Sequence, residues 1–272
     1  MNRWFKFKNI KISNHGDYIL TGVSNIESGS ANCRKINYID TDGNTRRDIW
    51  YNERPFEISG FIYALDEATM VRLKRKLISA CSLKENFRIE YFNRERIYSA
   101  ECYFDNLPTF EVRKKWFLPF KLYVTIPGFY WQSSQMHTKN LFKYTDNVIS
   151  EFTLPCVFAS LVNQTNIYNS GDVETYPIFT VVCEVSSEGS TIEMTNSTTE
   201  QTIKLNYQTS SEEEVTIDTF NQTAISNING NITKHIAIDS DFFSLIPGNN
   251  TLKCTSVGNV IKVQFYENYL GV

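Results

Sequence analysis

Asn166-Ile-Tyr-Asn-Ser-Gly-Asp-Val-Glu-Thr-Tyr-Pro177 runs straight into the apolar stretch Ile178-Phe-Thr-Val-Val-Cys183. A second stretch of the same kind, Asp241-Phe-Phe-Ser-Leu-Ile-Pro-Gly-Asn-Asn250, leads into what reads as a closing β-hairpin. Asn, Ser, Gly, Asp and Pro favour turns, because they fix a turn backbone, tolerate it or bond to it locally. The β-branched and aromatic residues that follow suit a strand. Neither stretch holds a catalytic group, and both read as scaffold.

The same rhythm extends through the second half of the chain. Short strands are expected at residues 178–183, 191–195, 202–207, 215–218, 232–238, 251–254 and 260–266. Their apolar residues alternate, as in Ile203, Leu205 and Tyr207, or Ile261, Val263 and Phe265. Period two places each set on one face of a strand. Gly189, Asn229-Gly230 and Gly258-Asn259 supply turns between them. Seven short strands with regular turns predict an antiparallel β-sandwich.

The first half reads as strands with one helix. Phe5 and Phe7 share a face, Ile36 and Tyr38 precede the turn Asp42-Gly43, and Ile49, Tyr51, Phe56, Ile58 and Ile62 continue the alternation. Residues 66–80 predict the helix. Asp66 can cap its first turn, and Met70, Leu73, Leu77 and Ala80 form one apolar stripe. Arg72, Lys74, Arg75 and Lys76 fill the remaining face, either simply solvated or presented to a neighbouring subunit. Strands resume at 87–92, 98–104 and 109–112, and a last one alternates through Phe120, Leu122, Val124 and Ile126 to Pro127-Gly128. The expectation is therefore a mainly β chain with one α-helix, in two domains at 1–133 and 134–272.

Charge supports the division. Residues 1–135 hold 21 Lys+Arg and 15 Asp+Glu, net +6, whereas 136–272 hold 6 and 15, net −9. Such asymmetry suits two domains with different neighbours. Acids are interleaved with the bases of the first half, which argues against nucleic-acid sequence recognition. The most apolar window, 152–162, contains Pro155 and is shorter than the roughly 20 residues a spanning helix needs, so no membrane insertion is expected. Met1 to Lys8 lacks the apolar run of a signal peptide. Cys33, Cys81, Cys102, Cys156, Cys183 and Cys254 form no CxxC pair and read as free, mostly buried thiols. Folding in a reducing cytoplasm is the expectation.

Catalytic chemistry finds no foothold. His15, His137 and His235 are isolated in sequence, and a zinc site needs several convergent N or S ligands. No GxSxG, Walker loop or GxGxxG occurs. Glu212-Glu-Glu214 reads as an exposed acidic turn. No catalytic residue, cofactor or metal is assigned. Trp50, Tyr51, Trp116, Tyr130 and Trp131 are the aromatics that could stack on sugars, although aromatics in strands usually build core. Five Asn-x-Thr/Ser triplets follow from the Asn/Thr-rich composition.

These segments, in this order, resemble the distal tail proteins of siphophages that infect Gram-positive bacteria. The resemblance rests on Phe56-Glu-Ile-Ser-Gly-Phe-Ile62, on the helix with Leu73, Lys76 and Leu77, and on Pro127-Gly-Phe-Tyr-Trp131. In the second half it rests on Tyr168-Asn-Ser-Gly-Asp172, Tyr176-Pro177, Ile217-Asp218, Phe242-Phe-Ser-Leu-Ile-Pro-Gly-Asn249 and Tyr269-Leu-Gly271. It implies an N-terminal domain that assembles into a hexameric ring and a C-terminal galectin-like β-sandwich. It implies a structural hub at the virion tail tip, assembled in the host cytoplasm. The partners would be the tail tube protein, the tail-associated lysin or fibre protein and peripheral receptor-binding proteins. The competing readings are a carbohydrate-binding β-sandwich module and, with no convergent residues behind it, a cell-wall hydrolase.

Overall fold

A computed structural model describes residues 3–27, 29–37, 44–142, 164–183, 191–255 and 259–272. The expected turns at Asp42-Gly43, Gly189 and Gly258, the window 152–162 and Cys156 lie outside the described residues. The chain forms two compact units, Met1–Ser134 with Tyr269–Val272, and Gln135–Asn268. The last four residues therefore rejoin the first unit, which a linear division at 133/134 does not contain.

The first unit contains β1 (Trp4–Phe7), β2 (Ile10–Ser13), β3 (Tyr18–Ser24), β4 (Ala31–Asn37), β5 (Asn44–Tyr51) and β6 (Arg54–Tyr63). Then come α1 (Glu67–Ala80), β7 (Phe87–Phe92), β8 (Ile97–Phe104), β9 (Thr109–Phe110), β10 (Phe117–Ile126) and β11 (Trp131–Ser133). Neighbours in its large sheet run β11-β8-β7-β1-β2-β3-β6-β10-β9, and β8 also pairs with β10. That extra pairing closes β8, β7, β1, β2, β3, β6 and β10 into a seven-stranded barrel. Closure removes the free edges of those seven strands.

Alternation fills the barrel. Phe5 and Phe7, then Phe56, Ile58 and Ile62, then Phe120, Leu122 and Val124 are all buried in one core. Gly60 takes an inward position because nothing larger fits. A Cβ there would lie 2.6 Å from the Ile19 carbonyl oxygen and 2.7 Å from Cζ of Phe120. The helix forms as expected. Asp66 caps it by accepting from the Thr69 N–H at 2.8 Å, and Met70, Leu73, Leu77 and Ala80 are buried. The Tyr18 hydroxyl donates to the Leu73 carbonyl at 2.9 Å and ties the helix to β3.

The second unit contains β12 (His137–Phe142), β13 (Gln164–Asn169), β14 (Ile178–Cys183), β15 (Thr191–Asn196) and β16 (Gln201–Asn206). It continues with β17 (Glu214–Asp218), β18 (Thr223–Ser226), β19 (Gly230–Asn231), a 3-10 turn at Thr233–His235, β20 (Gly248–Thr255) and β21 (Asn259–Phe265). The short β22 (Asn268–Tyr269) then joins the edge of the first unit's sheet beside β11. Two antiparallel sheets result, β12-β21-β14-β17-β18-β19 and β13-β20-β15-β16. Phe179, Ile217 and Val263 from one sheet share a core with Met194, Leu205 and Leu252 from the other, closed by Phe243 and Leu245.

Two expectations about this unit need correction. The closing segments β20 and β21 are not a hairpin, because β20 pairs with β13 and β15 while β21 pairs with β12 and β14. Alternation shows an inward face but not which sheet owns it. Residues 232–238 are not a strand either. The Thr233 N–H donates to the Asn231 side chain, the Ala224 N–H donates to the Thr233 hydroxyl, and Ile238 is fully exposed. Local side-chain bonds of this kind compete with a strand ladder.

Candidate assembly surface

Among the described residues β4 and β5 pair only with each other and form a two-stranded ribbon separate from the barrel sheet. Their register shifts between Cys33 and Arg34, the mark of a bulge, and Asp48 has φ of 51°. Bulges sharpen the local twist. Ile49, Trp50 and Tyr51 are 58%, 51% and 44% exposed. Three consecutive large apolar residues open to solvent form a surface that folding of this chain alone leaves uncovered. Arg34, Lys35 and Arg47 add positive charge.

The base of the ribbon is anchored by rings. Tyr51 stacks on Phe129 with ring centres 4.3 Å apart, and Tyr130 meets Tyr51 edge-on at 5.7 Å. Beneath Phe129 lies Arg54, its guanidinium carbon 4.2 Å from the ring centre. Arg54 is almost wholly buried and donates to the Ile26 carbonyl at 3.4 Å and the Leu270 carbonyl at 2.6 Å. Burial lowers its pKa from the ordinary arginine value. Phe129 itself adopts φ of 66°, a conformation unfavourable for a bulky residue, and its ring packs against Tyr51 and Arg54. The sequence signalled Tyr51, but nothing local marked Arg54 or Phe129 as its support.

The other residues singled out from the sequence are scattered. Trp50 and Tyr51 are exposed on the ribbon, Trp116 and Tyr130 are half-buried, and Trp131 is buried against Phe56 and Tyr91. Trp131 is core and cannot serve as a sugar platform. The sequence missed an exposed aromatic pair, Tyr176 with the 70% exposed Phe220, their rings 5.5 Å apart.

His15, His137 and His235 do not converge. His15 is in the loop after β2, His137 stacks on Phe265 and lies 3.5 Å from Glu267, and His235 packs on Tyr207. No group of His, Cys, Asp and Glu suited to a metal occurs among the described residues. Cys81, Cys102, Cys183 and Cys254 are buried and unbridged, and Cys33 is half-buried. Burial pushes the thiols of Cys81 and Cys254 up to about 12, which makes them inert. No helix among the described residues is long and apolar enough to cross a membrane.

Glu212-Glu-Glu214 is not wholly an exposed turn, because Glu213 is fully buried. It accepts hydrogen bonds from the Tyr207 hydroxyl at 2.7 Å, the Ser210 N–H at 2.8 Å, the Ser226 hydroxyl and the Asn229 amide at 3.4 Å. Burial alone would raise its pKa, but these donors outweigh burial and hold it below the usual carboxylate range. The geometry is that of a structural clamp.

Among the described residues the chain combines a closed barrel, one α-helix and two antiparallel sheets that share a core. One solved protein it matches over its length is SPP1 Dit (gp 19.1), described as a paradigm of the hub adsorption apparatus in Gram-positive-infecting phages. The identity is 15%, the TM-score 0.73, and the match covers 98% of each chain. Chains of the phage P2 baseplate in its activated conformation are also similar. The calcium form gives TM-score 0.54 at 11% identity over 97% of this chain and 98% of that one, and the strontium form 0.52 at 10% over 96% and 97%. Residues 170–269 match the family model of the siphovirus-type tail component, C-terminal domain. No curated protein matches the sequence. The resemblance to siphophage distal tail proteins is thereby shown.

Proposed function

We propose that the chain is the structural hub of a phage tail tip or baseplate. In this reading the first unit forms a hexameric ring that joins the tail tube to the tail-associated lysin or fibre protein. The second unit is a galectin-like β-sandwich that carries or contacts host-adsorption proteins at the periphery. The protein works in the virion tail after assembly in the host cytoplasm, and it catalyses nothing. The observation that carries this reading is likeness to a hub protein across both units, together with the family match in the second. The exposed ribbon supplies the physical need for a neighbour, since Ile49, Trp50 and Tyr51 remain open to water in the single chain.

The mass of the purified protein by light scattering, with negative-stain images across a concentration series, tests it. Six subunits around an open centre are expected. A strict monomer at every concentration, unchanged by adding a tail tube or lysin-like partner, would refute it.

A second reading, a carbohydrate-binding module, is favoured by one feature, the exposed pair Tyr176 and Phe220, since aromatic faces stack on the apolar C–H faces of sugars. Saturable binding to host-wall glycans that Phe220→Ala abolishes would support it.

A further inference from the structure

The barrel of the first unit has unlike ends. β6 spans ten residues, about 30 Å at 3.3 Å per residue. At its C-terminal end the chain turns into α1, whose outer face presents Arg72, Arg75 and Lys76 to solvent. None of the three forms an ion pair among the described residues. Leu65 and Val71 are exposed beside them. On the barrel wall at the same end, Phe117 meets Phe61 and Tyr63 with ring centres 4.8 and 5.4 Å apart, and both Tyr63 and Phe117 are more than a third exposed. Asp66, which caps α1, and Glu67, paired with Arg113, share this end, but Arg72, Arg75 and Lys76 outnumber them, so its surface is on balance basic and aromatic.

Beside the N-terminal end of β6 lies a small acidic patch. Glu53, just before the strand, accepts from the Tyr103 hydroxyl at 2.8 Å. Asp105, just past β8, accepts from the Thr125 hydroxyl at 2.8 Å. Pairing of Thr125 with Tyr103 and with Pro55 brings the two carboxylates to one patch. The hydrogen bond to Glu53, burial, and the nearby charges of Glu53 and Asp105 raise the Tyr103 pKa. Both acids are exposed, and neither has a cationic partner among the described residues.

A closed ring joins two different patches of the same subunit, head to tail. Interface cores favour aromatics and arginine over other exposed residues, and opposed charge sets the register while like charge rejects the reversed pairing. We propose that the α1 end of one copy, with Arg72, Arg75 and Lys76 around the Phe61–Tyr63–Phe117 patch, meets the Glu53–Asp105 end of the next copy. This contact rests on the ring reading and names the two faces that would close it.

Charge reversal on the full chain tests it. One variant carries Arg72→Glu, Arg75→Glu and Lys76→Glu, and the other carries Glu53→Lys and Asp105→Lys. Each alone is expected to raise the concentration for half-assembly at least tenfold. An equimolar mixture is expected to restore the ring, because alternating copies then present opposite charges at every contact. Circular dichroism melts confirm that each variant is folded, and Glu53→Gln with Asp105→Asn replaces the lysine variant if it is not, with a smaller loss expected. If the wild type assembles and either folded variant assembles equally well, or if the folded variants fail even when mixed, this contact is wrong and the ring stands. A wild type that remains monomeric overturns the ring reading and the contact with it.

Discussion

Arg54 and Phe129 form a buried cation–ring pair, with 4.2 Å between guanidinium carbon and ring centre. The pair links three otherwise separate parts of the first unit. Phe129 supports Tyr51 at the ribbon base, Arg54 begins the inward run of β6, and its Nη2 holds the Leu270 carbonyl in the returning C-terminal segment. Among the described residues no carboxylate forms an ion pair with Arg54. Its charge is carried by two carbonyl dipoles and an aromatic face, and cation–ring contacts strengthen when desolvated.

Removing that cation should therefore unfasten the C-terminal segment. Arg54→Met keeps the aliphatic stem but leaves the Ile26 and Leu270 carbonyls without their donor. Each unsatisfied buried acceptor costs about 1–3 kcal/mol. A lower urea midpoint and faster amide exchange at 269–272 are expected, with Arg54→Lys recovering only part, since an ammonium cannot lie flat on the ring. An unchanged midpoint in Arg54→Met would show that the pair contributes nothing.

Glu213 gives a pH prediction for the second unit. Its folded pKa is held below its unfolded value, near about 4.3, by donors from Ser210, Ser226, Tyr207 and Asn229 acting against burial. A depressed carboxylate pKa contributes stability that is complete above the unfolded value and disappears as pH falls through the folded one. The wild type should therefore lose stability below about pH 4, and Glu213→Gln should lose less over that interval. At pH 7, Glu213→Ala should cost about 2–4 kcal/mol, because several buried donors lose their acceptor. Parallel acid-denaturation curves for wild type and Glu213→Gln would remove the clamp.

Much of this was written locally in the chain. The helix was legible because its signals lie within one window, the Asp66 cap and the stripe Met70, Leu73, Leu77 and Ala80. Barrel closure was not, since it depends on Val124 meeting Phe104 and Thr125 meeting Tyr103 across twenty residues and more. The ribbon carries the same strand-like residues as the barrel wall, and only packing separates Ile49, which is exposed, from Ile58, which is buried. For β20 and β21, alternation showed the inward faces but not their different sheets. Glu213 was readable in principle. It lies in phase with Val215 and Ile217, both buried, so period two places it on the core side despite its charge.

Gly60 offers a direct test of barrel packing. Its Cα faces inward with the Ile19 carbonyl and the Phe120 ring already within contact distance of any added Cβ. The ring can rotate, but the β3 backbone cannot move without disturbing the pairing of Ile19 with Phe61. Gly60→Ala should destabilise the first unit by about 1–3 kcal/mol, the range for overpacking a core. The usual gain from replacing a strand glycine, up to about 1 kcal/mol, would be outweighed. A Tm equal to or above that of the wild type would mean that β3 yields more readily than its ladder suggests.

The ribbon should matter for assembly far more than for folding. Trp50 is half exposed, so Trp50→Ala removes little buried area from the single chain and should change stability by less than about 0.5 kcal/mol, as at ordinary surface sites. Tyr51→Ala should cost somewhat more, because it also loses the stack on Phe129, worth about 0.5–1.5 kcal/mol. If Trp50 is instead buried against a neighbouring copy, its loss there should fall in the hot-spot range of about 2 kcal/mol or more, seen as an increase of roughly thirtyfold in the concentration for half-assembly. Comparing urea midpoints with sedimentation of the same two variants separates the contributions. A ring that forms at the wild-type concentration with Trp50→Ala would place the ribbon outside the subunit contact and leave its exposed residues for another partner.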